Sequence, residues 1–131
     1  MANRFTMGFT ANAADIDELG HVNNAVWLRW MEQIAVAHWQ ADAAPGHRDR
    51  YIWVVTRHEI DYRGNIGVGE SVLAETHIPA APTGARFDRC TTFTGASGAV
   101  LVAARTTWAL IDRASGRLAR VTTDIAAPFL P

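Results

Sequence analysis

The spacing of apolar positions changes period once along the chain. Residues 4–10 (RFTMGFT), rich in Phe and Thr, predict a short first strand. Residues 11–24 (ANAADIDELGHVNN) are polar, carry Gly20 and predict a loop. From Ala25 to Asp42 there is no Gly and no Pro, and Trp27, Trp30, Met31, Ile34, Val36 and Trp39 spread over a wide apolar face. That spacing predicts a helix of about five turns at 3.6 residues per turn. Asn23 and Asn24 precede it as N-cap candidates, and Pro45-Gly46 closes the region. Arg29, Glu32, Gln33, His38 and Gln40 are its polar breaks, so most of its circumference has to be covered by the rest of the chain.

Beyond that point the period is two. Segments 51–62, 71–78, 85–94 and 99–112 predict strands, with turns at Gly95–Gly98 and Asp112–Gly116 and a short last strand near 117–122. In 51–62 one alternate set is Ile52, Val54, Thr56, His58, Ile60 and Tyr62, and the other ends in Arg57, Glu59 and Asp61. A strand, one long helix and four or five further strands, without βαβ alternation, predict an α+β fold. Five or six antiparallel strands would wrap around the single helix in one domain spanning 1–131. On this reading the outer sheet face carries Trp53, Val55, Leu73 and Phe93, and a second copy of the chain is the simplest cover for it.

Composition narrows the function classes. The 131 residues are 49% hydrophobic and 19% charged, as in one globular domain. Twelve basic and thirteen acidic side chains leave a formal charge of −1, which speaks against nucleic acid or an anionic membrane surface as partner. All the basic residues are Arg, so Schiff-base and P-loop lysine chemistry is excluded. Cys90 is the single cysteine, which excludes an internal disulfide and fits a structural thiol. Neither a signal-peptide core nor a membrane-spanning stretch is evident, so the expected location is the cytoplasm.

The chemistry concentrates in Asp15-Ile16-Asp17-Glu18-Leu19-Gly20-His21-Val22-Asn23-Asn24. Two carboxylates, a glycine, an imidazole and two amides stand directly before a helix start. The first N–H groups of a helix lack internal partners and carry the positive end of its dipole. They can polarise a carbonyl and stabilise the oxyanion formed on attack. Asp17 lies on a loop that Gly20 lets fold back, where a carboxylate can attack the same carbon or take a proton from water. Asp and Asn in this setting are also ordinary helix caps, and spacing leaves both readings open. Asp15, Asp17 and His21 match no zinc spacing, so no metal is expected.

D-x-D-x-x-G-H-V-N-N followed by an aromatic-rich helix resembles the hotdog-fold acyl-CoA thioesterases of the 4-hydroxybenzoyl-CoA thioesterase group. His58-Glu59-Ile60-Asp61-Tyr62-Arg63 with Gly67-Val68-Gly69-Glu70, and Thr106–Asp112 with Gly116-Arg117, are similar to later segments of that family. The resemblance implies a hotdog fold, a homodimer or dimer of dimers, and an acyl-CoA or acyl-carrier-protein substrate with no cofactor. It implies Asp17 as the catalytic carboxylate and the backbone N–H of Asn24, with Asn23 beside it, as the carbonyl donor. His21 would orient water or Asp17. Leu19 and Asn65 depart from the plant acyl-carrier-protein thioesterase pattern, which has Asn and Glu there. Without lysine, CoA phosphates would need arginines: Arg86 and Arg89 first, Arg63 third. Trp27 or Met31 would line an acyl pocket, beside a core role. A hydratase on the same fold and a non-catalytic acyl-thioester binder are the competing readings. Asp17 and His21 are four apart, against the five of the hydratase motif.

Overall fold

The computed structural model describes residues 3–131. Strand β1 (Arg4–Thr10) leads through a short 3₁₀ turn (Ala13–Asp15) into α1 (Asn24–Asp42). Then come α2 (Pro45–Arg50) and strands β2 (Tyr51–Tyr62), β3 (Ser71–His77), β4 (Arg86–Thr94) and β5 (Val100–Asp112). The chain ends in α3 (Thr123–Ala126) and a 3₁₀ turn (Ala127–Phe129). The strands form one antiparallel sheet in the order β1-β3-β4-β5-β2, so β1 and β2 are its two edges. Among the described residues no helix is long and apolar enough to cross a membrane.

The helix and the four long strands lie where the periodicity puts them. Asn23 caps α1, its side chain accepting from the Ala25 N–H. Two expectations fail near the helix and at the chain end. Pro45 does not close a region. It opens α2, because a proline in the first turn forfeits only an N–H that has no helical partner. Residues 117–122 make one isolated bridge, Ile111 to Leu118, rather than a strand. The tail then crosses back, with the Val121 N–H bonded to Gly84 O, and inserts Ile125 and Phe129 under the C-terminal end of α1.

One face of the sheet packs on α1. Toward the helix N-terminus, Trp27 and Trp30 meet Phe9 and Phe93; Trp27 stands edge-on to Phe93 with centroids 5.1 Å apart. Toward its C-terminus, Trp39 meets Trp53 edge-on and stacks on Phe129. The outer-face assignment is therefore corrected. Phe93 is fully buried on the inner face, Trp53 and Val55 also face inward, and Leu73 alone of the four is outside, 53% exposed.

The physical reason in β2 is a bulge. The pairing with β5 skips Thr56, between Val55 and Arg57. One extra residue reverses the alternation, so Trp53 and Val55 share a face with His58 and Ile60 rather than with Arg57 and Glu59. The outer face is mostly polar, with Arg105 paired to Asp88 and Arg57 to Glu59. Its exposed apolar side chains include Ile52, Val54 and Leu73, so the face is mixed, unlike the aromatic face expected. His38 also departs from expectation: it is fully buried beneath α1.

Phe93→Ala should destabilise the protein by about 3–5 kcal/mol in denaturant unfolding, because it empties the junction of four rings. Leu73→Ser, on the outer face, should stay within about 0.5 kcal/mol. Equal effects of the two substitutions would contradict this face assignment.

Candidate active site

The loop before α1 folds as a tight hairpin. Ile16 bridges Val22, the Asp17 N–H donates to His21 O at 2.8 Å, and the Gly20 N–H returns to Asp17 O at 3.1 Å. Gly20 closes this turn at φ +78°, a left-handed conformation that a side chain would disfavour. Asp17 lies at the head of the turn. Its Oδ1 accepts the backbone N–H groups of Leu19, at 2.9 Å, and His21, at 3.1 Å. Two fixed donors on one oxygen orient the exposed carboxylate and leave Oδ2 for other partners.

The hairpin is anchored from both sides. Asp15, buried, accepts the Asn12 N–H and receives Arg29 of α1 at 2.8 Å. The Asn23 N–H bonds to Asp15 O. On the other flank Asn65 Oδ1 accepts the N–H groups of Val22 and Ile66, both at 2.9 Å. The Glu70 carboxylate accepts the Gly67 N–H, and a Cβ on Gly67 would meet Gly20 O at 3.7 Å. Asn65 and Glu70 thus lock the 64–70 loop against the hairpin. The sequence marked Asn65 only as a departure from the plant pattern. Its position between Gly64 and Gly67 was the available signal, since short polar side chains in glycine-rich loops serve as backbone bridges.

At the start of α1, Asn23 supplies two acceptors: its side chain takes the Ala25 N–H and its carbonyl the Val26 N–H, both at 2.9 Å. The Asn24 N–H has no acceptor among the described residues. It is the free donor at the positive end of a nineteen-residue helix. Asp17, Gly20, His21, Asn23 and Asn24 are all exposed on this one hairpin and helix start. The arrangement combines a held carboxylate with an electrophilic N–H, the two elements that attack on a carbonyl needs.

The remaining candidates lie elsewhere. Trp27 is fully buried among Trp30 and Phe93, and Met31 is buried beside them, so both serve the core. Arg63, exposed just after β2, lies 3.9 Å from Asp61. Arg86 is exposed at the start of β4, whereas Arg89 is buried on the inner face. Three residues apart on a strand means opposite faces, so the two do not form one cationic patch. Among the described residues no group of three His, Cys, Asp or Glu side chains is placed to hold a metal.

A five-stranded antiparallel sheet curled on one long helix, with loops gathered at the helix N-terminus, is the hotdog architecture. The chain belongs to the thioesterase-like superfamily, whose family profile matches residues 11–129. No curated protein sequence matches it. Solved structures of the same fold include a thioesterase from Thermus thermophilus complexed with coenzyme A and Zn. It is 23% identical at a TM-score of 0.80, over 95% of each chain. Another is the 1,4-dihydroxy-2-naphthoyl-CoA thioesterase Slr0204 from Synechocystis, at 19% identity and TM-score 0.79, covering 98% of this chain and 100% of the other. The chain also overlays a Lactobacillus plantarum structure assigned as an oleoyl thioesterase, at 16% identity and TM-score 0.86. There it covers 98% of itself but only 51%, about half, of the other chain. At these identities the likeness shows the fold.

The Asp15 anchor has a pH signature. The Asn12 N–H, and after it Arg29, hold its carboxyl below the ordinary value of 3.8 against the opposing effect of desolvation. A lowered value in the folded state gives stability that is present above 3.8 and lost as pH falls through the lowered value. Asp15→Asn should therefore flatten the acid limb of the stability profile as pH falls through and below the ordinary carboxylate value of 3.8. Parallel profiles for the two proteins, measured by thermal unfolding, would remove this role.

Proposed function

We propose that this protein hydrolyses an acyl-CoA thioester, with Asp17 as the catalytic carboxylate and the Asn24 N–H as the carbonyl donor. The observation that supports this most is the unpaired Asn24 N–H at the helix start, seven residues after a carboxylate that two backbone N–H groups orient. In this reading the thioester oxygen accepts the Asn24 N–H, and negative charge building on it is stabilised by the helix terminus. The free Oδ2 of Asp17 adds to the carbonyl carbon or takes a proton from the attacking water. The C–S bond then breaks; where Asp17 itself has added, water opens the acyl-aspartyl anhydride that remains and releases the acid. A thiol of pKa about 8.5 leaves as thiolate without strong protonation, so one carboxylate and one donor suffice. His21 flanks Asp17 and orients the water. Arg86 and Arg63, both exposed, are the guanidinium groups assigned to the CoA phosphates.

The working unit in this proposal is a homodimer. Strand β2 is a sheet edge of twelve residues, with one side of its backbone free to pair. A long unpaired edge is a template for a second copy, and antiparallel pairing of two β2 strands would join the sheets. The single unpaired Cys90 fits a reducing, cytoplasmic setting.

Asp17→Asn should lower kcat/KM for thiol release from acyl-CoA by about a hundredfold or more while thermal unfolding is unchanged. A panel of aliphatic and aromatic acyl groups, followed with a thiol reagent, makes the measurement. Near-wild-type rates in the variant would overturn the assignment of Asp17. Binding of acyl-CoA without thiol release from any member would overturn the hydrolase reading. Sedimentation should give a species of twice the 14.3 kDa chain mass. A monomer would exclude the dimer.

A further inference from the structure

An unassigned cavity of about 220 Å³ lies at the other end of α1 from Asp17. Trp39, Trp53, Phe87 and Trp108 form aromatic walls, with Ile78 and Phe129 among them. Arg89 reaches it from β4 while remaining 7% exposed, and Arg48 and Arg113 also border it. No carboxylate lines it. The wall residue Trp108 also buries an indole N–H that has no acceptor among the described residues.

The setting of Arg89 is unusual for a structural arginine. Its Nη1 donates to His38 Nδ1 at 2.8 Å and to Thr76 Oγ1 at 3.1 Å, and both partners are uncharged. His38 is neutral because it turns a lone pair toward a guanidinium. Burial, and then Arg89 itself, push its pKa down to about 4. Asp42 lies 3.1 Å from the opposite ring nitrogen, on the far side of the imidazole. Arg89 forms no ion pair with any described residue, and burial alone lowers its pKa to about 10, which leaves it charged at neutral pH. A buried charge without a counter-charge is costly, and an anion entering from the cavity would relieve that cost.

We propose that this cavity binds a small molecule with a compact aromatic body and a carboxylate, the carboxylate on Arg89 and the ring between the aromatic walls. The volume accommodates such a body, since a cavity of about 150 Å³ already takes benzene. The carboxylate belongs either to a free acid or to the far end of an acyl group presented by a partner subunit. Only the second use rests on the thioesterase and dimer readings. The site itself does not.

The test titrates 3-phenylpropanoate and 3-phenylpropanamide into the full chain, followed by calorimetry and by tryptophan fluorescence. The acid should bind at least about tenfold tighter than the amide, the scale of a charge-assisted hydrogen bond. Arg89→Met replaces a buried charge with an apolar chain of similar length and should reduce that preference to below about twofold, with folding retained. Should Arg89→Met fail to fold, Val36→Trp at the exposed mouth of the cavity gives the second reading, weakening acid binding at least about tenfold. Equal binding of acid and amide, a preference that survives in folded Arg89→Met, or unchanged binding in Val36→Trp would each overturn the proposal. A second arm compares 4-carboxybenzoyl-CoA with benzoyl-CoA. A higher kcat/KM for the carboxylated thioester, lost in Arg89→Met, supports the acyl source. Equal kcat/KM with intact acid binding supports the free acid. Loss of all hydrolysis with intact acid binding removes the thioesterase reading and leaves the site standing.

Discussion

Burial of α1 against one face of the sheet is the constraint from which the rest of the structure follows. The helix buries one face, with Trp27, Trp30, Met31, Ile34 and Trp39, and leaves Arg29, Glu32, Gln33, Val36 and Gln40 exposed, so the rest of the chain covers one side of it and not most of its circumference as expected. The inner faces of β3, β4 and β5 supply Val72, Ala74, Phe93, Val102 and Leu110 against it. The two ends of this nineteen-residue helix meet different chemistry. The N-terminal end emerges among loops. The C-terminal end is closed by a tail that the chain brings back for the purpose.

Between the two aromatic clusters runs a polar layer. Arg89, His38, Thr76 and Thr91 hydrogen-bond to one another beneath the helix. Phe5 and Phe129 pack on the His38 ring. A layer of this kind is favourable only when its members are satisfied, because the low dielectric that strengthens its bonds also raises the cost of an unpaired group. Hydroxyls and an imidazole can satisfy part of a guanidinium's hydrogen bonding but cannot balance its charge. The fold therefore holds a cation in its interior beside an open, aromatic space. The opposite end of the helix offers a backbone donor beside a carboxylate in solvent. The two ends differ in dielectric as well as in residues, and they suit different parts of a ligand.

The loop cluster shows how backbone chemistry makes a site from residues that are individually ordinary. Asp15 and Asn65 serve the chain itself: each accepts backbone N–H groups, and each ties the hairpin to a different neighbour. Asp17 accepts two N–H groups on one oxygen and keeps the other. The sequence shows two aspartates two residues apart. Burial separates them, one anchored to Arg29 and the other exposed at the turn.

The helix, its Asn23 cap and the four long strands were legible in the sequence, because apolar period and capping are local properties that need no knowledge of what lies opposite. The loop before α1 was legible for the same reason, as polar residues around Gly20 at a helix start. What the sequence did not carry was which alternate set of each strand faces the helix. Period two defines two sets but labels neither, and one bulged residue, Thr56, exchanges them within a single strand. The inward turn of Phe93 and Trp53, and the burial of Arg89 in place of Arg86, depend on that choice. The return of the tail to cap the helix end was equally out of reach. Its contacts, Val121 with Gly84 and Phe129 with Trp39, join positions far apart in the chain, and only the packing of the whole domain decides such pairs.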